Sequence, residues 1–197
     1  MKLLKQLKKG DAETIRRIRE NKSKHEEINR FINASNGQEG ASQKLTILEL
    51  AILGDSADSK EVLEEVLQLP GLDVNHLDPE GDIPLNIALQ RSKLGVEGVK
   101  MLLAHKDMKV NTQDRWKNTP LHVAIDQVDL GATKLLLAVD GIDINLKNSR
   151  RQPRGGVSTG DVTVLQMLEN IPDKDSQRVA FQEAFDEIAK KPKAKPK

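Results

Sequence analysis

One octapeptide keeps returning along this chain. It reads LTILELAI at Leu45–Ile52, DIPLNIAL at Asp82–Leu89, NTPLHVAI at Asn118–Ile125 and, in a weaker copy, DVTVLQML at Asp161–Leu168. Its aligned leucines are Leu48, Leu85, Leu121 and Leu165, at steps of 37, 36 and 44 residues. A second signature keeps the same beat. GLDVNHLD ends at Asp78, DMKVNTQD at Asp114 and GIDINLKN at Asn148, so its Asn recurs at Asn75, Asn111 and Asn145. Helical patterns lie between the two: EVLEEVLQLPG, GVKMLLAHKD and ATKLLLAVDG. Each unit therefore reads as a short helix, a turn, a second helix and an extended excursion. Repetition at this spacing restricts the chain to stacked units, because one such unit cannot bury its apolar faces alone.

The local chemistry agrees. Leu121, Ala124 and Ile125 form one stripe at i, i+3, i+4, and Leu85, Ala88, Leu89 and Leu48, Ala51, Ile52 repeat it. The small Ala lets neighbouring helices approach closely. Thr119 before Pro120 marks a helix start, with a hydroxyl to cap free amides and a proline suited to the first turn. Aromatic residues make up only 2% of the 197, which suits thin aliphatic layers better than one bulky core.

TPLHVA, a helix, LLL and then GIDIN together resemble the ankyrin repeat, whose period is about 33 residues. The resemblance covers residues 42–168 and is most specific over Thr119–Asn145. It implies an all-α solenoid of stacked helix-turn-helix units with β-hairpin-like loops. The expected organisation is an N-terminal helical capping region over 1–41, about three repeats and the start of a degenerate fourth over 42–168, a capping helix over 169–190 and a disordered basic tail over 191–197. The N-terminal region is read as a helix pair turning at Gly10-Asp11, then a helical stretch over 24–34 and a Gly/Ser/Asn-rich connection. In the closing helix, Val179, Phe181, Ala184, Phe185 and Ile188 are expected to form the buried face.

Several function classes fall away. There is no Cys, so disulfides and thiolate chemistry are excluded. No apolar run reaches the ~20 residues of a membrane span, and MKLLKQLKKGD has no secretory core. The chain is expected to be cytoplasmic and monomeric. His25, His76, His105 and His122 form no i, i+4 pair for a metal. The place of His122 is taken by Glu49, Asn86 and Gln166 in the other units, which preserves hydrogen bonding but no base. The resemblance implies that His122 ties helix to hairpin. RGGVSTGD at Arg154–Asp161 lacks the phosphate-cradling order. No catalytic residue, metal or cofactor is assigned, and the chain is not read as an enzyme.

Protein partners are the function the family implies, bound on hairpin tips and on the concave face of the first helices. In the tip DRWKN, Asp114–Asn118, the sole Trp of the chain is flanked by Arg115 and Lys117. Two readings of Trp116 stand, an interface anchor or a cover over the neighbouring hairpin. Lys117 occupies the place where the family has Gly. The tip DPEGD, Asp78–Asp82, is expected to expose Glu80 and Asp82, so that adjacent fingers differ in sign. The third tip holds about ten extra residues carrying Arg150, Arg151 and Arg154; it reads as a tolerated loop or as an arm for an acidic or phosphorylated partner. By position alone, Arg91, Lys93, Asp126 and Gln127 are candidates on the concave face.

Charge adds a second reading. Residues 1–30 carry +5 and residues 190–197 carry +5, against −9 in the middle. A nucleic-acid or chromatin adaptor would use these basic ends, and KKPKAKPK could also serve nuclear import, although the acidic middle disfavours binding in a nucleic-acid groove. The endings LLAHKDMKVN and LLLAVDGIDIN resemble those of ankyrin proteins of host-associated intracellular bacteria, which implies a secreted effector acting on a host protein.

Overall fold

The computed structural model describes residues 12–20, 46–54, 57–78, 81–149, 161–169 and 177–189. The helical stretch expected over 24–34, the connection after it, the Arg-bearing loop and the basic tail lie outside them.

The elements run α1 (Ala12–Glu20), α2 (Ile47–Ile52), α3 (Ser59–Leu67), α4 (Pro84–Arg91), α5 (Gly95–Leu103), α6 (Pro120–Asp126), α7 (Leu130–Leu137), β1 (Lys147–Ser149), β2 (Asp161–Thr163), α8 (Val164–Glu169) and α9 (Gln177–Ala189). Helices pair within units: α2 with α3, α4 with α5, α6 with α7, α8 with α9. They also stack in two rows. The first helices form the row α2–α4–α6–α8, and the second helices form α1–α3–α5–α7–α9. This is the solenoid that the repeat requires.

The short first helices depend on their caps, since six to eight residues make few helical bonds of their own. Thr46 and Glu49 form a reciprocal capping box on α2, and Thr119 and His122 form the same box on α6. At α8, Gln166 Oε1 accepts from the Thr163 amide at 2.9 Å. Unit two is the exception: Ile83 precedes Pro84 and offers no side-chain cap.

The expected stripes are buried. Leu48, Leu85 and Leu121 are at most 1% exposed, and Ala51, Ala88 and Ala124 lie beside them. Burying each leucine contributes roughly 1.5–3 kcal/mol. Leu165, the aligned residue of unit four, is 39% exposed instead. Among the described residues no further first helix stacks on α8 to cover it. The closing helix is corrected in the same way. Phe181, Ala184 and Phe185 are buried, but Val179 is 55% exposed near the start of α9. The side chain of Ile188 lies outside the described set.

An asparagine clamp joins unit to unit. Asn75 Nδ2 donates to the Asp107 carbonyl and its Oδ1 accepts from the Lys109 amide, both at 2.8 Å. Asn111 does the same to the Gly141 carbonyl (2.8 Å) and the Asp143 amide (2.9 Å). Asn75 and Asn111 of the second signature are thus adhesives between repeats. At the N-terminal end, Arg16 of α1 reaches Glu61 at 3.0 Å and Glu65 at 3.1 Å on α3.

Candidate functional site

The finger at Asp114–Asn118 is built around one carboxylate. Asp114 Oδ1 accepts from the amides of Trp116 and Asn118, each at 2.8 Å. Its Oδ2 accepts from Asn118 Nδ2 at 3.1 Å and lies 3.5 Å from Asn86 Nδ2. Its backbone closes the turn with Asn118 and Lys117. Asp114 is 6% exposed, so this acid faces inward and organises the loop.

That loop holds three side chains outward. Arg115, Trp116 and Lys117 are exposed, Trp116 by 38%. The Arg115 guanidinium sits 3.9 Å from the Trp116 ring centre, a cation–π contact. Lys117 adopts φ 59°, where the aligned Gly81 has φ 79°. The position therefore needs the left-handed conformation for which the family has Gly.

Neighbouring fingers are tied to this one. The Arg115 amide donates to the Gly81 carbonyl at 3.2 Å, and the Ser149 amide donates to the Trp116 carbonyl at 2.8 Å. Gln113 Nε2 reaches the carbonyls of Lys117 (2.7 Å) and Lys147 (2.9 Å). Asn148 Nδ2 donates to Asn118 Oδ1 at 2.7 Å. In the third finger β1 and β2 pair antiparallel, Asn148 opposite Val162.

His122 is 1% exposed and belongs to the same bracing. Its Nδ1 lies 3.2 Å from the Thr119 amide, and its Nε2 lies 3.3 Å from the Val162 carbonyl on β2. The tautomer that serves both accepts at Nδ1 and donates at Nε2. Burial lowers the imidazole pKa below its ordinary value, which favours this neutral form. The helix cap and the next finger are joined through one ring.

The expected exposure of Asp82 is corrected. Asp82 is 4% exposed. It aligns with Asn118, the inward position of the turn, and not with the outward Trp116. Burial raises its carboxyl pKa above the ordinary value; the charges of Asp78 and Asp114 push the same way, while Arg91 and Arg115 oppose them. Its Oδ1 has no hydrogen-bond partner. Glu80, Arg150, Arg151 and Arg154 lie outside the described residues.

The helix-end candidates are exposed but stand apart from the tip. Arg91 ends α4, Lys93 follows it, and Asp126 and Gln127 end α6. The tip precedes the N-terminus of α6, so seven residues of helix separate the two groups, about 10 Å at 1.5 Å per residue. Sequence reasoning missed Gln113, Lys147 and Leu77, which share one register position in successive excursions. Leu77 is 49% exposed, and this was legible only as an apolar residue among polar ones.

Among the described residues no three His, Asp or Glu side chains gather as metal ligands would. No described helix is long and apolar enough to cross a membrane.

Paired helices in two stacked rows, linked through fingers and asparagine clamps, define a helical-repeat solenoid. Three copies of the ankyrin repeat match residues 48–148, just over half of the chain, and the chain belongs to the ankyrin-repeat family. Ankyrin repeats are generally protein–protein interaction modules, and the family is typically non-enzymatic. No curated protein matches the chain.

Proposed function

We propose that this chain is a non-enzymatic protein-interaction module that holds its partner at the finger tips, with Trp116 as the anchor. One observation carries the reading. The only Trp of the chain stands 38% exposed on a turn that a buried aspartate holds in shape. Packing does not call for a Trp there, since the aligned residue of the preceding finger is Glu80. Arg115 and Lys117 complete the contact. Arg91, Lys93, Asp126 and Gln127 extend it along the first helices, and Glu80 and the Arg150–Arg154 loop flank it in sequence. Rigid aromatic and Arg side chains on a fixed turn lose little freedom on binding, which is the composition of interface hot spots.

The test is affinity capture with the intact chain and with Trp116→Ala. Host-cell lysate is the appropriate source, because the repeat endings resemble those of host-associated bacteria. Recovery of the captured partner should fall about tenfold or more with the variant, as loss of a hot spot predicts. Thermal midpoints of both proteins, measured alongside, separate lost binding from lost folding. Equal recovery from two folded proteins rules Trp116 out as the anchor.

A further inference from the structure

We infer that the Trp116 finger is a receptor for an acidic peptide segment. The inference rests on the interaction-module reading above and names the chemistry of the partner. Read as sequence, the tips DPEGD and DRWKN hold acids and bases side by side. Among the described residues the fold separates them. Asp82 and Asp114 are buried, and both oxygens of Asp114 are engaged by groups of the finger and of α4. Asp78 is half-buried and accepts from the Asp82 amide at 2.8 Å. The bases point out: Arg115, Lys117 and, from the next finger, Lys147 are all exposed. One Gln113 amide nitrogen touches the carbonyls of both Lys117 and Lys147, which fixes these two residues side by side. Among the described residues none of the three bases forms an ion pair. On β2, the exposed Asp161 accepts from the Ser149 hydroxyl at 3.1 Å.

The geometry suits a carboxylate. The indole contact holds the Arg115 guanidinium 3.9 Å from the ring centre, and a guanidinium can bind a carboxylate by a two-pronged bond. Lys117 and Lys147 supply point charges beside it. An apolar side chain of the same peptide would find Trp116, and Leu77 occupies the Gln113 register one finger earlier. A nucleic-acid strand fits less well. It needs a basic groove following several phosphates and a succession of stacking rings, whereas this finger has one ring with a guanidinium already against it.

Random peptides displayed on phage provide the probe, selected on the intact chain, on Trp116→Ala and on an Arg115→Ala/Lys147→Ala double variant. The intact chain should enrich peptides rich in Asp and Glu. The best of these, synthesised, should change the emission of the sole Trp saturably. Its counterpart with Asn and Gln in place of the acids should bind at least about tenfold more weakly, as should the double variant, because charge-assisted bonds are lost. Binding should also weaken with added salt. An amide counterpart that binds equally well overturns the inference. Peptides that need Trp116 but neither base overturn the acidic class and leave the anchor standing. Peptides that bind Trp116→Ala unchanged, or a selection without binders, count against both. An oligothymidylate that binds the finger more tightly than the selected peptide also overturns it, in favour of nucleic acid.

Discussion

Val128 stands at φ 55°, a conformation that a β-branched side chain rarely adopts. The reason is local. The Asp129 amide donates to the Ala124 carbonyl at 2.9 Å and the Val128 amide to the Ile125 carbonyl at 3.0 Å, a closing pattern that requires a left-handed residue after the helix. A non-Gly residue there costs roughly 1–2 kcal/mol, against about 0.5–1 kcal/mol of extra chain entropy for Gly. Val128→Gly should therefore raise stability by up to roughly 1 kcal/mol, read as a higher urea midpoint at unchanged slope. An unchanged or lower midpoint would show that the Val side chain contributes packing beyond its strain.

Asp82 makes a pH-dependent prediction at the same scale. Its folded pKa is raised, first by burial, so the folded state holds this proton more tightly than the unfolded chain does. Its contribution to stability is then fully present below the unfolded carboxylate pKa. It is lost as pH rises through the raised folded value. Asp82→Asn should stabilise the protein at pH 7 by about 1 kcal/mol, since it removes a buried carboxylate charge whose Oδ1 has no hydrogen-bond partner. The advantage should shrink as pH falls through the carboxylate range. A constant advantage from pH 7 to pH 4 would mean that Asp82 titrates normally.

At the scale of elements, the clamp makes the next prediction. Asn75 and Asn111 each hold the backbone of the following unit by a donor and an acceptor. Asn145 has the same sequence setting, and its own amide donates to Asp143 Oδ1 at 2.9 Å, as the Asn75 amide donates to Asp73 Oδ1 at 3.0 Å. Asn111→Ala should cost about 1–3 kcal/mol through two lost bonds, read as a lower midpoint in chemical denaturation. A loss within about 0.5 kcal/mol, the range of an ordinary surface substitution, would mean that the clamp adds little to the stack. The periodic leucines, the Thr caps and the recurring Asn were legible because each repeats, and repetition marks what the fold needs. The direction of Asp82 was not legible. Aspartates at 78, 82 and 114 look alike as sequence, and the burial of Asp82 comes only with the turn that Asp78 closes on it. Lys147 escaped for a related reason: its neighbourhood with Lys117 is made by Gln113, from the preceding excursion.

For the whole molecule, stability should be local along the stack. Units touch chiefly their neighbours: α9 lies on α7 and α8, whereas α1 lies on α3 at the opposite end. In such an array, energy is close to a sum of unit and nearest-neighbour terms. Phe181 is 1% exposed in α9, where the last unit covers the one before it. Truncation to Ala should remove about 3–5 kcal/mol from that interface. The finger that carries Trp116 begins the unit whose second helix is α7, so the cap and the binding tip share a neighbourhood. Hydrogen exchange of Phe181→Ala should therefore accelerate first in α8 and α7, with α2 and α3 affected least. The emission of Trp116 should then report loosening at lower urea than the far-ultraviolet signal of the whole stack. If all helices lose protection together and both signals move as one transition, the repeats fold as a single cooperative block. In that case the finger would gain its rigidity from the whole solenoid and not from its adjacent units.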